Sequence, residues 1–145
     1  MPKPPARIAA LAPLLGTWNT TGVVFAADGS EGARILATDF YEFFPGGHFM
    51  LHHVDARLGD AVTRSIEILR WDKERKVVAA RSLNDRGGVE DSIIQLRGRR
   101  LRITGERMRF EGSFSPDFRT ISGRWQQQGE EEEWKPAMDV VLTRA

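Results

Sequence analysis

The sequence predicts an all-β fold, an antiparallel up-and-down β-barrel of about ten strands with a short N-terminal helix. Three observations lead to this prediction. Turn-forming pairs such as Asp28-Gly29 and Gly59-Asp60 recur every roughly 7 to 16 residues along most of the chain. The segments between them are rich in Val, Ile, Phe, Thr and Trp, which favour strands. Many of these segments alternate apolar and polar side chains, which indicates one buried and one solvated face.

Taken in chain order, the elements begin with a helical pattern near residues 5–11, where Pro5 suits a first helical turn. Ten strands are then predicted at 16–25, 32–44, 48–58, 61–72, 76–84, 88–96, 99–105, 107–115, 120–128 and 131–143. Short loops between so many strands favour closure into a barrel, which leaves no exposed edge, and a flattened sandwich is the alternative. We expect one domain over 1–145, with an arm and short helix at 1–13 and the barrel at 14–144.

The composition excludes several classes of function. The 145 residues include 21 basic and 20 acidic side chains, so a net charge of +1 provides no general attraction to nucleic acid or an acidic membrane. The chain has no Cys and therefore no thiolate zinc site or iron–sulfur cluster. Neither a targeting signal nor an apolar stretch of membrane-spanning length is found. We expect a cytoplasmic, bacterial protein with no nucleic-acid or membrane partner.

The clearest chemical constellation lies on the predicted strands of the first half. If Gly46-Gly47 and Gly59-Asp60 form two-residue hairpin loops, His52 lies directly opposite Glu67 on one side and Tyr41 on the other. Both faces of these strands are partly apolar, so the pattern does not decide which face points inward. A carboxylate beside an imidazole raises its pKa and suits acid–base catalysis, which makes His52 and Glu67 weak catalytic candidates. Ligand hydrogen bonding and purely structural pairing are the alternatives.

A set of large apolar side chains is expected to line the barrel. An eight-stranded barrel is filled by its own side chains, whereas ten strands leave room for a ligand. The sequence does not separate a packed interior from a cavity. The predicted ligand-binding residues are Tyr41, Met50, His52, Glu67, Met108, Phe110, Trp125 and Met138.

A metal site and a cofactor are not expected. His48 and His52 share a strand face but are roughly 13 Å apart, and His53 points to the other face. One strand therefore cannot gather the three imidazoles around one ion at the roughly 2 Å distances required. The Arg-rich segment around Arg100 and Arg102 occupies the polar phase of a strand and indicates a solvated outer face or a small anion-binding patch.

Several segments together resemble a known family. Leu14-Leu15-Gly16-Thr17-Trp18 carries the Gly-x-Trp pattern that opens the first strand of calycin barrels, the lipocalin and fatty-acid-binding group. The segments 45–55, 66–72, 109–112 and 123–125 resemble a bacterial family of calycin-like barrels, domain-of-unknown-function family 1579. The resemblance covers about 14–144 and implies a barrel with an internal cavity, without an established activity.

The resemblance also concerns the first and last strands of the barrel. In calycins an Arg of the last strand often packs over the first-strand Trp, which implies a structural pair of Trp18 and Arg144, with Arg124 as the competing partner. The haem-binding nitrobindins share the Leu-Gly-x-Trp opening, but their iron ligand is a His near the C-terminal end. No His follows His53 in this chain, so that ligand has no counterpart.

The sequence therefore favours a protein that binds a small, largely apolar ligand inside a barrel. A small cofactor-independent isomerase, hydratase or cyclase using His52 and Glu67 is one alternative. A non-catalytic homodimeric module that associates through an exposed strand face is the other.

Overall fold

The computed structural model describes residues 6–145 and consists almost wholly of β-strands. A four-residue helix, α1 (Ala6–Ala9), is followed by a 3-10 turn, η1 (Ala12–Leu14). The strands are β1 (Gly16–Phe25), β2 (Glu31–Phe43), β3 (Phe49–Leu58), β4 (Ala61–Asp72), β5 (Val77–Asn84), β6 (Val89–Arg97), β7 (Arg100–Gly105), β8 (Met108–Phe114), β9 (Thr120–Gln128) and β10 (Trp134–Arg144).

Each strand is hydrogen-bonded to its neighbours in sequence, and β1 also pairs with β10, which closes the barrel. All pairs are antiparallel. The predicted all-β barrel is confirmed, and the ten strand boundaries lie within three residues of those expected. The flattened sandwich is wrong, because β1 and β10 pair from Trp18↔Arg144 to Val24↔Met138 without a gap.

The segment before β1 covers one end of the barrel. Ile8, Leu11 and Leu14 are fully buried in the same apolar cluster as Trp18. The helix ends at Ala9, two residues before the predicted end at Leu11, since Pro13 lacks the backbone N–H that a continuing α-helix would use. Residues 1–5 of the predicted arm, including Pro5, lie outside the described part of the chain. Burial of the three apolar side chains explains why this short segment has a defined position.

The orientation of the first strands, which the sequence left open, is resolved. Tyr41 on β2, His52 on β3 and Glu67 on β4 point into the barrel, and Phe40 and His53 point outward. The predicted register is confirmed, with Tyr41 opposite His52 and His52 opposite Glu67.

Trp18 and Arg144 form the expected structural pair. The Arg144 guanidinium carbon lies 4.1 Å from the centre of the Trp18 ring. The guanidinium also donates to three backbone carbonyls, those of Pro13 (2.5 Å), Leu15 (2.7 Å) and Phe118 (3.0 Å). Arg144 thus connects the last strand to the N-terminal segment and to the β8–β9 turn. Arg124, the competing partner, instead forms a bidentate pair with Asp139 on the outer face.

Two glycines lie on the inner face of strands β8 and β9. Gly112 on β8 and Gly123 on β9 lie opposite each other, and the Phe110 ring packs over both. A Cβ at either position would collide with that ring. The two glycines therefore allow Phe110 to lie flat against the strands, which leaves space in the barrel interior.

No helix in the described residues 6–145 is long and apolar enough to cross a membrane.

Candidate functional site

A cavity of about 720 Å³ occupies the barrel interior. Its wall is mainly apolar, and Ile35, Phe110 and Trp125 are among the side chains that form it. Residues 105–107 of the β7–β8 turn and residues 89–91 at the start of β6 also line it, so the cavity extends to the barrel end opposite α1. A volume of this size is typical of small-molecule sites.

Four polar side chains form a connected cluster on one wall of this cavity. His52 lies between two carboxylates: its Nε2 is 2.6 Å from Asp39 Oδ1, and its Nδ1 is 3.0 Å from Glu67 Oε1. The hydroxyl of Thr20 donates to the other Asp39 oxygen, Oδ2, at 2.5 Å. The side chains of His52, Asp39 and Glu67 are 12%, 11% and 16% exposed, so bulk water screens these contacts weakly. We call these four residues the inner polar cluster.

The two carboxylates determine the charge of the imidazole. Burial alone would lower the pKa of His52, but the hydrogen bonds and negative charges of Asp39 and Glu67 raise this pKa from 6.5 to about 9. At neutral pH both ring nitrogens therefore carry protons, and each donates to a carboxylate. An imidazolium has no lone pair with which to accept a proton. Each ring nitrogen also lies against a carboxylate, so neither is open to a ligand, which argues against His52 as a general base, the role that the sequence suggested as an alternative.

Tyr41 completes the wall beside the cluster. Its ring stacks on the His52 ring at a centroid distance of 3.9 Å and an interplanar angle of 8°. Burial raises the pKa of the Tyr41 hydroxyl well above 10, and the charges of Asp39 and Glu67 add to this effect. The hydroxyl is therefore a proton donor at all physiological pH values. Stacking on a cation also fixes the imidazolium plane.

Most of the predicted ligand-binding residues line the same cavity. Those on its wall are Tyr41, His52, Glu67, Met108, Phe110, Trp125 and Met138. Met50 differs, because it is completely buried in the apolar cluster and lies outside the cavity lining. It shares the inward face of β3 with His52, but two residues nearer to the covered end, where side chains fill the barrel. Strand alternation gives the face of a residue but not its depth along the barrel.

Sequence reasoning missed two members of the inner polar cluster. These are Asp39 and Thr20, neither of which the sequence pattern marks as a candidate site residue. Asp39 pairs with Val54, diagonally from His52, so its carboxylate reaches the ring from the side. Thr20 pairs with Ala37 and lies diagonally from Asp39. An available signal was that Asp39 shares the face of Tyr41, since diagonal neighbours are within reach of long side chains.

The other two His residues lie away from the cluster. His48 is exposed in the β2–β3 turn, and His53 is outside the barrel, where it bonds to Glu42 at 2.8 Å. Among residues 6–145, no group of three or more His, Asp or Glu side chains is arranged to hold a metal ion.

A second hollow lies on the outer surface of β6 to β9 and is polar. It has a volume of about 540 Å³ and is lined by Arg97, Arg100 and Arg102. Arg102 lies 2.8 Å from Glu111, and both side chains are more than half exposed. The predicted outward direction of this Arg-rich segment is confirmed.

Comparisons with known proteins bear on the fold alone. No family model and no curated protein matches the chain. Among solved structures, the crystal structure of Rv2717c from M. tuberculosis is similar, with a TM-score of 0.69 over 98% of this chain and 99% of the other. The two sequences are 16% identical. The likeness therefore supports a shared barrel architecture over the full length.

Proposed function

We propose that the barrel binds a small, largely apolar molecule in its interior cavity. The observation that carries this proposal is the combination of an apolar cavity of about 720 Å³ with one connected polar cluster on its wall. Aromatic and Met side chains supply contact area, and Met adapts to varied ligand shapes. The inner polar cluster then orients one polar group of the ligand. Membership in domain-of-unknown-function family 1579 and a cytoplasmic location remain predictions from the sequence.

Filling part of the cavity is expected to weaken ligand binding. Ala37 lines the cavity, whereas the preceding residue on the same strand, Leu36, is 60% exposed on the outer face. An indole at position 37 would occupy ligand space, so Ala37→Trp should weaken binding of the neutral fluorescent probe N-phenyl-1-naphthylamine at least tenfold. Fluorescence titration measures this affinity.

The matched control is Leu36→Trp, which places the same indole on the outer face and should leave probe affinity unchanged. Thermal unfolding of both variants checks that they fold. Equal probe affinity in Ala37→Trp and the native protein would contradict interior binding, as would no probe binding by the native protein.

A homodimer is a second candidate, and the outer surface favours it. Phe40, His53, Ile66, Leu83 and Val89 lie directly opposite one another on β2 to β6 and form a largely apolar outer row. Phe40, Leu83 and Val89 are 38%, 36% and 56% exposed. An apolar row across five strands is typical of a protein interface. The partner proposed for this row is a second copy of the chain, because two-fold pairing of one patch with itself is the commonest assembly of identical chains.

The oligomeric state tests this candidate. In sedimentation velocity the native protein should run as a dimer, and Phe40→Ser with Leu83→Ser should convert it to a monomer with unchanged circular dichroism. A control pair of changes at Arg97 and Arg100, which are exposed on β6 and β7 outside this row, should leave the dimer intact. A monomeric native protein at about 100 μM would exclude this candidate.

A further inference from the structure

The charged side chains that face the cavity are predominantly acidic, although the whole chain has a net charge of +1. Asp39 and Glu67 lie deep in the barrel and share one imidazole, that of His52. Nearer to the mouth, Glu90 and Glu106 outnumber the single basic residue Arg107. Asp91 also borders the mouth, but its side chain is paired with Arg81 on the outer surface and is not counted here. The interior is therefore electronegative from the mouth to the inner polar cluster.

The inner polar cluster itself has more acidic than basic groups. Asp39 and Glu67 share the single imidazole of His52, in a place where water screens charge weakly. Glu67 accepts a hydrogen bond from His52 through Oε1, and the residue also lines the cavity. A carboxylate oxygen at a cavity wall is an acceptor for a ligand donor. A bound cation would supply both a donor and a positive charge.

From this arrangement we propose that the ligand is an apolar amine, whose ammonium group binds Glu67 beside Asp39 while its hydrocarbon part lies against Phe110, Trp125 and Met138. This inference rests on the proposed function, since it names the chemical class of the ligand of that cavity. A carboxylate ligand would meet two like charges at the polar end of the cavity and more at the mouth. The site is therefore expected to bind fatty acids and other organic anions weakly.

A charge series of one ring system tests the class of ligand. The probes are 1-naphthylmethylamine, 1-naphthalenemethanol and 1-naphthoate, each used to displace N-phenyl-1-naphthylamine from the native protein near pH 7. The amine should displace the reporter at a concentration at least tenfold lower than the alcohol, and the naphthoate should be the weakest. Naphthoate displacing as well as the amine would overturn the proposal.

The variant Glu67→Gln tests whether Glu67 is the source of the preference for the amine over the alcohol. It keeps the size of the side chain and removes the carboxylate, so the ratio of amine to alcohol affinity should fall at least fivefold. The matched control is Glu42→Gln, an acid bonded to the other histidine, His53, on the outer face, and it should keep the native ratio. An unchanged ratio in folded Glu67→Gln would also overturn the proposal. Should that variant not fold, Glu106→Gln at the mouth provides the test, with a smaller loss of amine preference expected and an unchanged ratio counting against it.

The interior site and the amine class of its ligand are tested by different outcomes. If N-phenyl-1-naphthylamine does not bind to the native protein, the interior site itself is wrong. If it binds and is displaced best by the alcohol or the naphthoate, the interior site stands and only the amine class is wrong.

Discussion

His52→Leu is expected to lower the free energy of unfolding by about 3–5 kcal/mol at pH 7, since it leaves the two buried carboxylates of Asp39 and Glu67 facing each other without a cation. Leucine fills nearly the same volume, so the loss reports charge and hydrogen bonding more than packing. Urea denaturation followed by tryptophan fluorescence measures the change.

His53→Leu is the matched control, because it changes the neighbouring residue on the other face of the same strand. The His53–Glu42 pair is nearly half exposed on both sides, and exposed pairs of this kind contribute at most about 1 kcal/mol. A loss in His52→Leu no larger than in His53→Leu would show that the inner polar cluster does not stabilise the fold.

The difference in unfolding free energy between the native protein and His52→Leu is expected to decrease as the pH rises. The pKa of His52 is raised in the folded state, so its contribution is complete below pH 6.5 and is lost as the pH rises through about 9. The stability gap between the native protein and His52→Leu should therefore narrow between pH 6.5 and 9.5, by on the order of 3 kcal/mol. A gap that stays constant or widens over this range would contradict a protonated His52.

Arg144→Met is expected to cost about 2–4 kcal/mol of unfolding free energy. The change removes the donors to the carbonyls of Pro13, Leu15 and Phe118 and the cation above Trp18, while methionine keeps much of the apolar stem. Arg144→Lys should recover little of the loss, because an ammonium lacks the planar set of donors that reaches three separate carbonyls. Denaturant titration of both variants measures the effect.

Arg124→Met is the control for this comparison, since it removes a guanidinium from the neighbouring strand β9. Arg124 and Asp139 form a well-aligned pair on the outer face, but both side chains are more than 40% exposed. The expected cost is therefore below about 1 kcal/mol. Equal losses in Arg124→Met and Arg144→Met would show that the contacts of Arg144 with the N-terminal segment contribute no special stability.

The barrel was predictable from the sequence because its determinants are local. Turn pairs such as Gly59-Asp60 fix the register of the strands that they join, and this register placed His52 opposite Tyr41 and Glu67. The bulge between Pro136 and Met138 was not predictable from alternation. It shifts the strand by one residue, so that Trp134 packs under Arg109 on the outer surface, although it had the same phase as Met138 in the sequence.

The candidate site was predictable only in part, since its polar contacts are diagonal and its shape depends on depth. Asp39 reaches His52 across the ladder rather than along a directly opposite pair, which pair-by-pair reasoning does not consider. Met50 and Met138 both point inward, yet one is packed beneath the N-terminal segment and the other faces the cavity. Which end of the barrel that segment covers follows from the burial of Ile8 and Leu11, a tertiary contact without a local signal.

The unbroken pairing of β1 with β10 has a kinetic consequence. With no lateral gap in the wall, a molecule enters or leaves along the barrel axis, past Glu106 and Arg107. Exchange rates are then governed by the turns at the mouth rather than by separation of strands. Glu90 and Glu106 outnumber Arg107 at that entrance, so a cation should arrive faster than an anion, and this difference should decline as ionic strength rises. The salt dependence of the association rate constant thus reports the electrostatics of the entrance separately from the affinity of the interior.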